Sequence, residues 1–159
     1  MPGSVVGVFR AVAAGAEMTA VAEATLEPGR GLVGDRYHTG VGTFSEKLKG
    51  RADVEVTLVE SEEVSRFNAL EGVSLTAGAF RRNIVTSGVR LNDLVSKRFR
   101  VGRAVLEGIR LCEPCAHLAE IVSPTVLPAM AHRAGLRARI VEGAVVRAGD
   151  LVQVGEGNQ

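Results

Sequence analysis

Apolar and polar residues alternate over short stretches along most of this chain. Val54-Glu-Val-Thr-Leu58 is the clearest case, with Val54, Val56 and Leu58 set to face a core and Glu55 and Thr57 to face away. Ser4–Ala13 is apolar on both alternations, as expected of a strand closed inside a barrel or sandwich. Thr19–Leu26 is a weaker strand candidate. Asn83–Thr86, Phe99–Val101, Ala104–Ile109, Arg137–Val141 and Leu151–Val154 are further short ones, several separated by Gly or Asn-Asp punctuation. Helical spacing is rarer. Ser61–Leu70 reads as a helix capped by Ser61, with Glu62 and Glu63 at the positive end of its dipole, Val64 and Phe67 on one face, and Gly72 as its stop. Pro114–Ile121 and part of Thr125–Ala134 are helical, the latter disturbed by Pro128 and ended by Gly135. This pattern predicts a mostly β chain with inserted helices, a barrel or barrel-like α+β fold.

Composition agrees. The 159 residues are 46% hydrophobic and 23% charged, which suits one domain, 1–159, with a single sizeable core. Tryptophan is absent and aromatics are 4%, so that core rests on Val, Leu, Ile and Ala. The 19 glycines favour many turns, hence short strands. Gly29–Gly50 is long for a loop in a compact domain, which marks it as a functional or mobile segment. No basic patch precedes an apolar run at the start, and no stretch approaches ~18 uninterrupted apolar residues. The expectation is a cytoplasmic protein with no membrane span.

The formal charge of +1 hides an asymmetry. Residues 1–80 carry a net −4 and residues 81–110 a net +6. A solvated face is the plain reading of that basic block; convergence on a small anion is the functional one. Nucleic acid is not expected, because the block holds one aromatic, Phe99, and the whole chain is nearly neutral. Within the block, Arg81 and Arg82 precede a strand, where adjacent side chains point to opposite faces. At most one guanidinium would then enter a given pocket.

Two motifs invite chemistry. Gly29-Arg-Gly-Leu-Val-Gly34 matches the dinucleotide fingerprint, with Asp53 downstream, but no helical period follows the glycines to hold a pyrophosphate. What remains is a loop on which Asp35, Arg36 and His38 can overhang a site. Cys112 and Cys115 are the only cysteines, in C-x-x-C spacing. A structural zinc site would need two more ligands, and a thioredoxin-like pair would need a βαβ setting. Two readings stay open: an inert packed pair, or one activated thiol. In the second, Pro114 takes the first helical position and Cys115 falls in the first turn, where the helix dipole and nearby arginines favour thiolate. His117, two residues on, then points to the opposite side, and His132 is a favourable charge at a helix end. The exposure of Cys115 separates the two readings.

Taken in order, Gly31-Leu-Val-Gly-Asp-Arg36, Gly78-Ala-Phe-Arg-Arg-Asn-Ile-Val-Thr86, Leu91-Asn-Asp-Leu94, Arg98-Phe-Arg-Val-Gly102, Glu113-Pro-Cys-Ala-His117 and Gly143–Val152 resemble the MOSC domain. That domain ends the molybdenum-cofactor sulfurases and also occurs in stand-alone bacterial proteins and in amidoxime-reducing molybdoenzymes. The resemblance implies a MOSC-type β-barrel-like domain that uses the molybdenum cofactor (molybdopterin), and either a sulfurtransferase or a molybdenum-dependent oxidoreductase. It places the family's cysteine, a persulfide carrier or molybdenum ligand, at Cys115. It places cofactor contacts at Arg82 and Asn83 and, more weakly, at Gly34, Asp35 and Arg36. Cys112 has no counterpart in it. These 159 residues hold no counterpart of the pyridoxal-phosphate desulfurase domain of the sulfurases, nor of the extra barrel domain of the amidoxime reducers. The expected partners are therefore a cysteine desulfurase or a molybdoenzyme. A second class fits the same residues: a non-catalytic barrel that binds a phosphorylated small-molecule ligand through its basic strand face.

Overall fold

The computed structural model describes residues 3–42 and 55–154. Val54, Asp53 and positions 43–50 of the Gly29–Gly50 segment lie outside the described residues.

Seven strands form a closed barrel. Around it run β11 (Leu151–Val154), β7 (Arg98–Val101), β8 (Ala104–Leu111), β9 (Leu136–Glu142), β5 (Val56–Glu60), β6 (Ile84–Ser87) and β1 (Gly3–Arg10), with β1 pairing back to β11. Closure removes the open edges that an unpaired sheet would expose. Only β5 and β6 run parallel, because the helix α1 (Ser61–Glu71) and a 3-10 turn at Ala77–Phe80 lie between them. β2 (Thr19–Val21) extends β1 beyond the ring. A second sheet of β10 (Ala144–Arg147), β3 (Glu23–Glu27) and β4 (Gly31–Leu32) sends Ala24, Leu26, Leu32 and Val146 into the barrel core.

β5 and β6 are buried on both faces. Leu58 and Ile84, opposite each other, point into the barrel with Val5, Val8, Leu106 and Leu136. Val59 and Val85, the next pair, point outward and pack beneath Val64 and Phe67 of α1, Phe80, and Leu118 and Val126 of the helices α2 (Ala116–Ile121) and α3 (Val126–Ala129). Phe67 and Phe80 meet edge to face at 5.4 Å, a contact worth about 1 kcal/mol beyond its buried area. The two apolar clusters, one inside and one outside, thus share a two-strand wall.

The mostly β barrel with few helices is as the sequence predicts, with local corrections. Thr19–Leu26 is two strands in two different sheets. Glu55 does not face away: it is buried, and its Oε1 accepts bonds from Gly29 N (3.1 Å) and Ile140 N (2.9 Å), clasping the second sheet to β9. Glu60, not Ser61, is the N-cap of α1, and it caps without a side-chain bond. Its carboxylate turns instead to Leu91 N at 3.0 Å. Gly72 stops the helix in the left-handed region, with φ 66°. Gly135 has φ 120°, and a Cβ there would sit 2.0 Å from the Leu58 carbonyl, so β9 can pass β5 only because the side chain is missing.

Candidate functional site

Asp35, Arg36, Arg81 and Asn83 are bonded to the end of β1 or to one another at the entry of β6. Asp35 is 1% exposed and organises its loop. Its Oδ1 accepts from Ala11 N and Arg36 Nη1, each at 3.0 Å, and its Oδ2 from Tyr37 N at 3.2 Å. Arg36 N donates in turn to Ala11 O at 2.7 Å. The loop is therefore stitched to the end of β1. Gly34 makes room for this: it has φ +87°, and a Cβ would lie 2.8 Å from Arg10 Nη1. The buried guanidinium of Arg36 also touches Met18 Sδ (3.5 Å), donates to Arg81 O (3.3 Å) and lies 4.9 Å from the Tyr37 ring centre, a cation–π distance. His38 Nε2 bonds Glu27 at 2.8 Å, which holds the Glu27 carboxyl below its usual range. The Nδ1 of His38 is buried with no hydrogen-bond partner among the described residues.

Arg82 and Asn83 are buried and committed to the backbone. Arg82 donates from Nε to Ala134 O (2.9 Å), from Nη1 to Phe80 O (3.0 Å) and from Nη2 to Cys112 O (3.1 Å). It ties the entry of β6 to the segment before β9 and to the chain leading into Cys115. Asn83 accepts from Thr57 N and Oγ1 and donates to Phe9 O, locking β6 between β5 and β1.

Arg81, which the sequence did not single out from Arg82, is different. It is not in a strand but in the left-handed region, with φ 63° and ψ 36°. The rule of opposite faces therefore fails, and both guanidiniums are buried. Arg81 Nη1 donates to Ala16 O at 2.6 Å, while Nη2 is buried with no hydrogen-bond partner among the described residues. Burial, then the adjacent Arg36, pulls its pKa down, and Asp35 opposes this only in part. A buried guanidinium with a free donor, beside Arg36, Arg82 and one carboxylate, is suited to bind an anion. No sequence signal marks it, since the conformation at Arg81 depends on the turn that precedes it.

Cys112 and Cys115 have different environments. Cys112 is 2% exposed, with its N bonded to Gly135 O and its O to Arg82. These features fit the inert reading. Cys115 is partly exposed and packs against the outer cluster. It sits at the N-cap of α2, extended at φ −134° and ψ 172°, not in the first turn, and Pro114 lies outside the helix. His132 is not a helix-end charge. It lies past α3 with φ 61°, its N and Nδ1 both held by Glu113 at 2.7 Å. Glu113 thereby anchors the Glu-Pro-Cys segment to the loop before β9. Among the described residues no group of three or more His, Cys, Asp or Glu is arranged to hold a metal ion. A lone thiolate such as Cys115 could only complete the shell of a metal that arrives with other ligands. No helix is long and apolar enough to cross a membrane.

No curated protein sequence matches the chain. Solved structures do. The YuaD protein of Bacillus subtilis is 16% identical, with a TM-score of 0.79 over 96% of this chain and 94% of that one. YiiM of Geobacillus stearothermophilus is 18% identical, with 0.74 over 98% and 76%, and YiiM of Escherichia coli is 18% identical, with 0.72 over 100% and 72%. At such identities these likenesses show the fold. The MOSC-domain profile matches residues 45–153, most of the chain and all of the barrel strands from β5 onward. The protein belongs to the MOSC domain family, which is associated with the molybdenum cofactor and with sulfur handling.

Proposed function

We propose that this protein handles sulfur or the molybdenum cofactor, with the Cys115 thiolate as its reacting group and Arg81 as its anion anchor. The observation that carries the reading is the buried Nη2 of Arg81, which has no hydrogen-bond partner among the described residues. A guanidinium fork suits a phosphate, and a pterin phosphate would give Arg81 and Arg36 the negative charge their surroundings lack. Gly34, Asp35 and Arg36 would shape the rim of the pocket. Arg82 and Asn83, proposed from the sequence as contacts, would act by holding the backbone on which Arg81 and Cys115 stand. Bound there, the cofactor would supply a redox-active metal centre.

Two chemistries suit Cys115, because a thiolate is both a nucleophile and a soft ligand. As a relay, it would attack the terminal sulfur of a desulfurase persulfide. The new S–S bond would form as the donor's cysteine leaves as thiolate. As a ligand, it would hold molybdenum in a reductase of N-hydroxylated compounds. Oxygen-free purification followed by molybdenum and pterin analysis separates these. Cofactor retained by the wild type, lost in Arg81→Gln and altered in Cys115→Ala would support the ligand version. A one-sulfur mass gain at Cys115 after incubation with a cysteine desulfurase would support the relay. If neither cofactor nor persulfide is found, even after reconstitution, the reading fails.

A further inference from the structure

The basic stretch does not stay together in the fold. Arg81 and Arg82 are buried, whereas Lys97 just before β7, Arg98 and Arg100 on β7, and Arg103 in its hairpin to β8 stand exposed. Among the described residues none of these four side chains makes a hydrogen bond or an ion pair. The register explains why. Arg98 lies opposite Glu107, but Glu107 is taken from the other side by Arg139 at 2.5 Å. Arg100 lies between Gln153 and Val105, which offer no charge.

Arg98 and Arg100 share a face about 6.5–7 Å apart, well inside a Debye length, so they repel. Protection of a sheet edge is the usual reason for such residues, but β7 is paired on both sides. The neighbouring strand adds exposed apolar surface, with Leu151 at 49%. Arginine beside an exposed aliphatic side chain resembles the make-up of a protein interface. A polynucleotide would gain little from Leu151, and the wall offers it no exposed aromatic ring. The same wall leads along β8 to the segment bearing Cys112 and Cys115.

We propose that the outer face of β7, with Arg98, Arg100 and Arg103 flanked by Leu151, docks an acidic segment of a partner protein. This holds whichever chemistry Cys115 performs. The test is fluorescence anisotropy with a labelled twelve-residue peptide of Glu and Leu, against a single-stranded oligonucleotide of equal charge, in low and physiological salt. The peptide should bind the wild type. Affinity should fall at least tenfold in Arg98→Glu/Arg100→Glu, about threefold in Leu151→Ser, and less than twofold in Arg133→Glu, a charge reversal at the exposed arginine paired with Glu63 of α1, away from this wall. Arg98→Gln/Arg100→Gln, a milder pair, should fall several-fold with an unchanged melting curve. Tighter binding of the oligonucleotide would overturn the assignment, as would equal losses in Arg133→Glu or affinity unmoved by the β7 changes. Self-association of the wild type that Arg98→Glu/Arg100→Glu abolishes would instead make a second copy the occupant and overturn it too.

Discussion

Arg81 and Arg82 belong to the same basic stretch as Arg98 and Arg100, yet the two pairs do opposite things. The first pair is buried at the entry to β6, and the second stands in water on β7. At the rim, Arg82 spends three donors on carbonyls from three segments, while its neighbour keeps one donor unused. On the wall the guanidiniums of β7 hold no partner among the described residues. Residue type and local charge are the same in both places. Only the surroundings decide whether an arginine builds the fold, waits for an anion or offers a surface.

The sharpest way to break this contrast is Arg82→Ala. It strips three buried carbonyls of their donor and should cost about 3–4 kcal/mol in urea unfolding, with Arg82→Lys restoring little, because an ammonium cannot span the same fork. A loss similar to that of an exposed arginine would dissolve the comparison. Arg81→Gln should cost at most about 1 kcal/mol, since it gives up one carbonyl bond but also an incompletely paired buried cation. Its signature lies elsewhere: added pyrophosphate should raise the melting temperature of the wild type and not of this variant, by mass action on the bound state.

Glu60 tests the same principle with the opposite charge. Burial holds its carboxyl above the ordinary value of 4.5. The folded state therefore prefers the proton, and this contribution to stability is complete below pH 4.5 and lost as pH rises through the raised value. Glu60→Gln keeps an acceptor for Leu91 N and removes the charge. Its melting temperature should match or exceed that of the wild type at pH 7, with the gap closing toward pH 4. A gap that instead grows in the wild type's favour as pH rises would show that the ionised form is the stabilising one. The smallest effect belongs to the wall: Arg98→Gln/Arg100→Gln should change stability by no more than about 0.5 kcal/mol, measured by the same unfolding curve.

Much of this architecture is legible without coordinates, and particular residues show why. Val64, Phe67 and Gly72 define α1 because spacing and a left-handed stop are local properties. Arg98-Phe-Arg-Val101 alternates, and so it does in the barrel. The Glu-Pro-Cys segment makes Cys115 rather than Cys112 the candidate, and in the fold Cys112 is enclosed while Cys115 is partly exposed. Harder to read were β4 and β10, two to four residues long, whose existence depends on pairing with β3. Glu55 looked solvated because alternation assigns a face without knowing that two backbone amides wait there. His132 looked like a helix charge because nothing local announces Glu113.

By itself, the sequence determined the mostly β class, the strands with strong alternation, the one long helix and the candidacy of Cys115, all of which rest on short-range periodicity and residue chemistry. The tertiary structure alone decided which arginines are buried, that Arg82 is a brace, that Arg81 has an idle donor, and that β7 carries unpaired charge. The physical reason is that burial and hydrogen-bond partners are set by segments far apart in the chain. Ala16, Cys112 and Ala134 reach Arg81 and Arg82 only once the barrel has closed.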